Sequence, residues 1–200
     1  MVTKLLQDFA ILLDPGHGGS YPSGDPGAVD GLNAAERDKI DTKEADINLA
    51  VGLMLCNSLI AQGARSTMTR SSNWYPSLQQ RCDMANKFGA NIFISLHCNS
   101  GPSSAAGIET LYAPGSINGK RLAELVQQEL IKATRETNRG VKQRDDLYVL
   151  KHTNMPAILV EMGFISNPSE EVKLNTKQYQ QKVADAIVKA VIRYKKGERV

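Results

Sequence analysis

Four side chains suited to metal-assisted hydrolysis are spread along the sequence: His17, Glu44, His97 and Glu161. Three of them end an apolar run, in Ile11-Leu12-Leu13-Asp14-Pro15-Gly16-His17-Gly18-Gly19, in Asn91-Ile92-Phe93-Ile94-Ser95-Leu96-His97 and in Ala157-Ile158-Leu159-Val160-Glu161-Met162-Gly163. Such a run, bounded by Pro or Gly, reads as a buried strand entering a tight loop. In open α/β sheets, ligands bind at the carboxyl ends of strands. Glu44 falls instead in the first turn of a helical pattern; alone, it is a carboxylate favoured by the helix dipole, worth about 0.3–1 kcal/mol. Two imidazoles and a carboxylate nevertheless make a catalytic zinc set, with three protein ligands and a fourth position for water. Zinc would lower that water's pKa from about 15.7 to about 7 and polarise a carbonyl. Glu161 is the candidate acid/base. A lone glutamate at a strand end reads as a cap or ion-pair partner, but the approach Ile158-Leu159-Val160 makes an idle surface charge a poor explanation. It would take the water's proton and return it to the departing amine.

The remaining candidates carry less. His152 sits beside Lys151 in a polar turn and reads as exposed. Cys98 follows His97, so strand alternation turns it away from the metal, towards packing. Cys56 and Cys82 lie in helical patterns and read as small buried hydrophobes. Three cysteines without paired spacing exclude a zinc ribbon or redox motif. No Gly-Lys-Ser/Thr follows Gly16, Gly18 and Gly19, so these glycines let the backbone pass close to metal and substrate rather than cradle a phosphate.

The elements that must position these groups alternate in type. After the first strand, Ser20 to Asp41 reads as a long surface loop. Ile47, Val51, Met54, Leu55 and Leu59 have helical spacing within Thr42 to Gln62, stopped by Gly63. Ala64 to Arg70 is a short strand, and Ser77-Leu78-Gln79-Gln80 is a capping box that opens a helix ending at Gly89. Asn91 to His97 is the central strand, Gly107 to Tyr112 another, and Lys120 to Thr137 an amphipathic helix. Leu147 to Leu150 is expected to be a short strand and Ala157 to Glu161 the last buried one. Asn167-Pro168 starts a helix, and Tyr179 to Tyr194 closes the chain as another. Strands alternating with helices give an α/β sheet covered on both faces.

At 200 residues the chain can bury most of its apolar surface without disulfides, and a single domain, 1–200, is expected. A net charge of +3 falls short of the clustered basic stripe of a nucleic-acid binder, so no nucleic-acid partner is expected. No uninterrupted apolar window approaches the roughly 18 residues of a membrane span. Met1 to Asp8 lacks the basic-then-apolar pattern of a secretion signal. Either the protein leaves the cell another way, or a leader and flanking modules lie outside this stretch.

Four blocks in order, Asp14-Pro15-Gly16-His17-Gly18-Gly19, Lys43-Glu44-Ala45-Asp46-Ile47-Asn48-Leu49, Ser95-Leu96-His97-Cys98-Asn99 and Val160-Glu161-Met162-Gly163-Phe164-Ile165-Ser166-Asn167, resemble the zinc-dependent N-acetylmuramoyl-L-alanine amidases of the amidase_3 type. The resemblance spans nearly the whole chain. It implies cleavage of the amide between N-acetylmuramic acid and L-alanine in peptidoglycan, with His17, Glu44 and His97 holding Zn2+ and Glu161 as the catalytic glutamate. It also implies a mixed, mostly parallel twisted sheet of about six strands. Action at the bacterial cell wall by a monomer is expected, as an autolysin, spore or phage lysis enzyme. Gly140-Val141-Lys142 and Leu147-Tyr148-Val149-Leu150 look like the family's segment before the last strand, beside the substrate groove. Two features depart from the family pattern: Gly31 to Thr42 is longer and more charged, and the connection from Tyr112 to Lys120 is too short for the inserted helix that plugs the site in cell-division members. Two other functions fit the same residues, a zinc peptidase or carboxypeptidase on the stem peptide and a wall-binding module without turnover.

Overall fold

The first apolar run forms β1 (Ala10–Pro15), buried at every position. The computed structural model describes residues 4–20, 23–29 and 42–200; most of the expected Ser20 to Asp41 loop, including its charged part, lies outside them. The remaining elements are α1 (Glu44–Ala61), β2 (Arg65–Met68), α2 (Leu78–Phe88), β3 (Ile92–Asn99), β4 (Ile108–Tyr112), α3 (Ile117–Thr134), β5 (Asn138–Gln143), α4 (Tyr148–His152), β6 (Ala157–Phe164), α5 (Pro168–Leu174) and α6 (Lys177–Lys195). The six strands form one sheet in the order β2-β1-β3-β6-β4-β5. Only the β4–β6 pairing is antiparallel, so the sheet is mixed and mostly parallel, as expected.

Strand alternation divides the apolar side chains between two cores. Ile11, Leu13, Ile94, Leu96, Ile158 and Val160 join the cluster that contains α1, α3 and α6 residues. Leu12, Phe93, Leu111 and Leu159 join Cys82, Ala85, Val149 and Leu150 on the face covered by α2 and α4. By the same alternation, His97, Glu161 and Glu109 emerge on the α2–α4 face. Their Cα atoms are register partners across β3, β6 and β4.

Local signals set several boundaries. Ser77 and Gln80 form the reciprocal capping box of α2, and Gly89 ends it in the left-handed region at φ 64°. Asn167 caps α5 with Pro168 in its first turn. α3 starts earlier than its apolar spacing suggests, because the Ser116 side chain accepts the Gly119 N–H. α1 has the length and mean hydropathy of a membrane-crossing helix. In this fold its Val51, Leu55 and Leu59 are buried in the core shared with α6.

Two expectations are corrected. Leu147 to Leu150 is not a strand: Tyr148–His152 forms helix α4. A four-residue apolar run has no distinguishable period, and Val149 and Leu150 are buried together against the α2 side while Lys151 and His152 stay exposed. The sixth strand is instead β5, Asn138–Gln143, which lies at the sheet edge with a mostly exposed, polar sequence. An edge strand of this kind lacks the apolar alternation that marks half-buried ones.

Candidate metal centre

β1 and β3 end side by side, with Pro15 in register with Leu96, so the loop after β1 carries His17 to the end of β3. His17 has φ 59°, a conformation uncommon outside glycine and often found at functional sites. The rings of His17 and His97 meet edge to face, with centroids 4.9 Å apart. This proximity depends on Gly16, where a Cβ would lie 2.2 Å from His97 Cε1 and 2.3 Å from its Nε2.

Glu44, the first residue of α1, lies between the two imidazoles. Its Oε2 is 3.2 Å from His17 Nε2, and its Oε1 is 2.8 Å from His97 Nδ1. The carboxylate is fixed by the Ala28 N–H, donated to Oε2 at 2.9 Å, and by the Cys98 N–H, donated to Oε1 at 3.0 Å. One potential ligand atom from each of His17, Glu44 and His97 lies within 4.8 Å of the others. Burial would raise the Glu44 pKa, but its bonds to both imidazoles hold it well below the usual carboxylate range. Burial would lower that of His17, yet Glu44 and then Asp25 push it up to about 9. A cation and a proton would compete for that nitrogen.

The donor set suits a borderline cation such as zinc in chemistry and in number. The outer partners fit too. His17 Nδ1 hydrogen-bonds to Asp25 Oδ2 at 2.8 Å, fixing the ring and leaving Nε2 directed towards Glu44. Asp25 is held in turn by the Gly27 N–H on its other oxygen. Beneath the loop, two buried guanidiniums grip backbone carbonyls: Arg70 bonds to those of Pro15, Gly16 and Ala45, and Arg81 to those of Pro15 and His17. Arg81 also pairs with buried Asp14 at 2.7 Å. Asp25, Arg70 and Arg81 escaped the sequence reading, which offers only a Gly-Asp-Pro-Gly turn for the first and no distinguishing signal for the arginines.

Glu161 stands beside this group. Among the described residues, its Oε2 is buried without a hydrogen-bond partner. Burial, with Glu44 and Glu109 adding and His97 and His17 opposing, pushes its pKa up to about 7. An unpaired carboxyl of that pKa suits proton transfer near neutrality. Other predicted residues lie apart. His152 stacks on Tyr148 at 3.9 Å and bonds to its backbone carbonyl on the exposed side of α4. The Cys98 thiol packs in the α1-side core, as alternation requires, and only its backbone touches Glu44.

The family model described as N-acetylmuramoyl-L-alanine amidase, Amidase_3, matches residues 11–193. The chain is 38% identical to the Bacillus subtilis protein YqiI over 92% of this chain and 84% of the relative. It is 33% identical to the germination-specific N-acetylmuramoyl-L-alanine amidase of the same organism, over 92% of this chain and 78% of that protein. The solved structure of the CwlD amidase from Clostridioides difficile superposes with a TM-score of 0.85 at 34% identity, covering 96% of this chain and all of the other.

Proposed function

Starting from the chain's membership of the Amidase_3 family of N-acetylmuramoyl-L-alanine amidases, we propose that it hydrolyses the amide between N-acetylmuramic acid and L-alanine in peptidoglycan with zinc held by His17, Glu44 and His97. The observation that carries this reading is the meeting of three potential ligand atoms within 4.8 Å, with a carboxyl oxygen of Glu161, unpartnered among the described residues, on the adjoining strand. The family and its named relatives make the enzyme a peptidoglycan amidase; zinc and the roles of individual residues are inferred from this chain's geometry.

Zinc bound there would supply Lewis acidity to the scissile carbonyl and to a water. The chain's own groups do the rest. Asp25 and Gly16 hold the two imidazoles in position, and the Ala28 and Cys98 amides fix Glu44. Glu161 takes the proton from attacking water and delivers it to the alanine nitrogen as the C–N bond breaks. The site of action is the bacterial cell wall, and the whole described chain serves as one catalytic domain. Mass analysis of soluble products from purified walls, with and without chelator, tests this reading. Free glycan plus peptides beginning with intact L-alanine, lost with chelator and regained with zinc, is the expected result. New termini within the stem peptide would make the protein a peptidase instead.

A further inference from the structure

Next to Glu161 the sheet carries a second buried carboxylate. Glu109 on β4 is the direct register partner of Glu161 on β6, so the two carboxylates leave the same sheet face on neighbouring strands. Glu109 Oε2 receives Lys142 Nζ at 2.6 Å and Arg139 Nε at 2.7 Å, both from edge strand β5. The Arg139 guanidinium also lies over the Phe164 ring, 4.7 Å from its centroid. Two cations thus face one buried carboxylate. The Glu109 side chain is 8% exposed, whereas those of Arg139 and Lys142 are 33% and 43% exposed. The cations therefore have one side on Glu109 and another on solvent. Burial would raise the Glu109 pKa, but Lys142 and Arg139 hold it below the usual range, so the anchor stays ionised.

The geometry points to Arg139 and Lys142 as a carboxylate-reading subsite for the peptide arm of the substrate, with Glu109 as the post that holds them. The inference rests on the peptidoglycan reading. Strands are about 4.8 Å apart, so β5 lies about 10 Å from β6. An extended peptide advances about 3.3–3.6 Å per residue, which brings a free carboxylate on the second or third residue from the scissile amide within reach. On the glycan side, a muramic acid in amide linkage has no free carboxylate to offer. An arginine held in place by a ring and a carboxylate keeps a fork suited to a second carboxylate, and the lysine adds a mobile point charge.

The test compares two muramoyl peptides that differ only in a free carboxylate or a carboxamide on the second residue. Binding is read by calorimetry on zinc-loaded Glu161→Gln protein, so no turnover is needed. The carboxylate peptide should bind about two- to fivefold more tightly than its carboxamide twin, the scale of one partly exposed charge pair. Arg139→Gln and Lys142→Gln should each move that ratio towards one. Lys142→Arg, which keeps the point charge, should retain most of the preference, whereas Arg139→Lys, which keeps the charge but loses the fork, should retain only part of it. Equal binding of the two peptides to the parent protein overturns the proposal, as does a ratio unchanged in the neutral variants. Equal losses in Lys142→Arg and Lys142→Gln would also overturn it, leaving the lysine only as a support of the sheet edge. Cleavage of walls by the native protein is measured separately, so failure of the amidase reading would appear there and not in the ratio.

Discussion

What surrounds the histidine and glutamate side chains supports the division of work proposed for them. His17 and His97 each place one nitrogen on the Glu44 carboxylate, whereas Glu161 keeps a buried oxygen without a hydrogen-bond partner among the described residues. His17→Ala and His97→Ala should therefore lose bound zinc along with activity, while Glu161→Gln should keep the metal and lose about a hundredfold or more in kcat. Elemental analysis beside kinetics checks the split, and equal metal loss in all three variants would refute it. Asp25 acts through the His17 ring. Asp25→Asn should weaken zinc affinity by about 10- to 100-fold, the usual cost of removing an outer carboxylate partner. Competition with a chromophoric chelator measures it, and unchanged affinity would remove Asp25 from this role.

At the level of elements, the loop after β1 and the end of β3 are close only because one residue lacks a side chain. In Gly16→Ala the new methyl would overlap the His97 imidazole, and the ring would have to move. Displacements of about 1 Å at a catalytic group can cost about a hundredfold in rate, with an overpacking penalty of about 1–3 kcal/mol. Activity should therefore fall far more than thermal stability; a variant with native kcat would mean that the ring has another resting place. α1 matters through its first residue, since the Glu44 N–H bonds to Ala28 and its side chain accepts the Ala28 N–H in return. Helix start and ligand position are therefore a single constraint.

Across the whole molecule, acid sensitivity is expected to start beneath the site. Burial alone would raise the Asp14 pKa, but Arg81, with hydrogen bonds from Thr69 and Ser95, holds it below its ordinary value. A carboxylate with a depressed folded-state pKa contributes stability that is present above the unfolded value, about 3.9, and is lost as pH falls through the folded one. Melting temperature should therefore drop as pH is lowered from about 5 through 3.9 and beyond, with a smaller drop in Asp14→Asn, which starts less stable. Identical pH profiles for the two proteins would count against it. The loss should reach the metal loop, because Arg81 also binds the Pro15 and His17 carbonyls.

What the sequence determined by itself was local. Apolar runs stopped by glycine or proline marked the strands that deliver His17, His97 and Glu161, and helical spacing after the first loop marked the element that delivers Glu44. These signals survive in isolation because strand and helix periods are written in consecutive residues. Only the tertiary structure decided the rest. Abreast placement of His97, Glu161 and Glu109 follows from the β3-β6-β4 order and register. The helical form of Leu147 to Leu150, the polar edge strand β5 and the partnership of Asp25 with His17 likewise depend on what each segment packs against. Those neighbours are chosen by burial across the sheet, and no spacing along the chain records the choice.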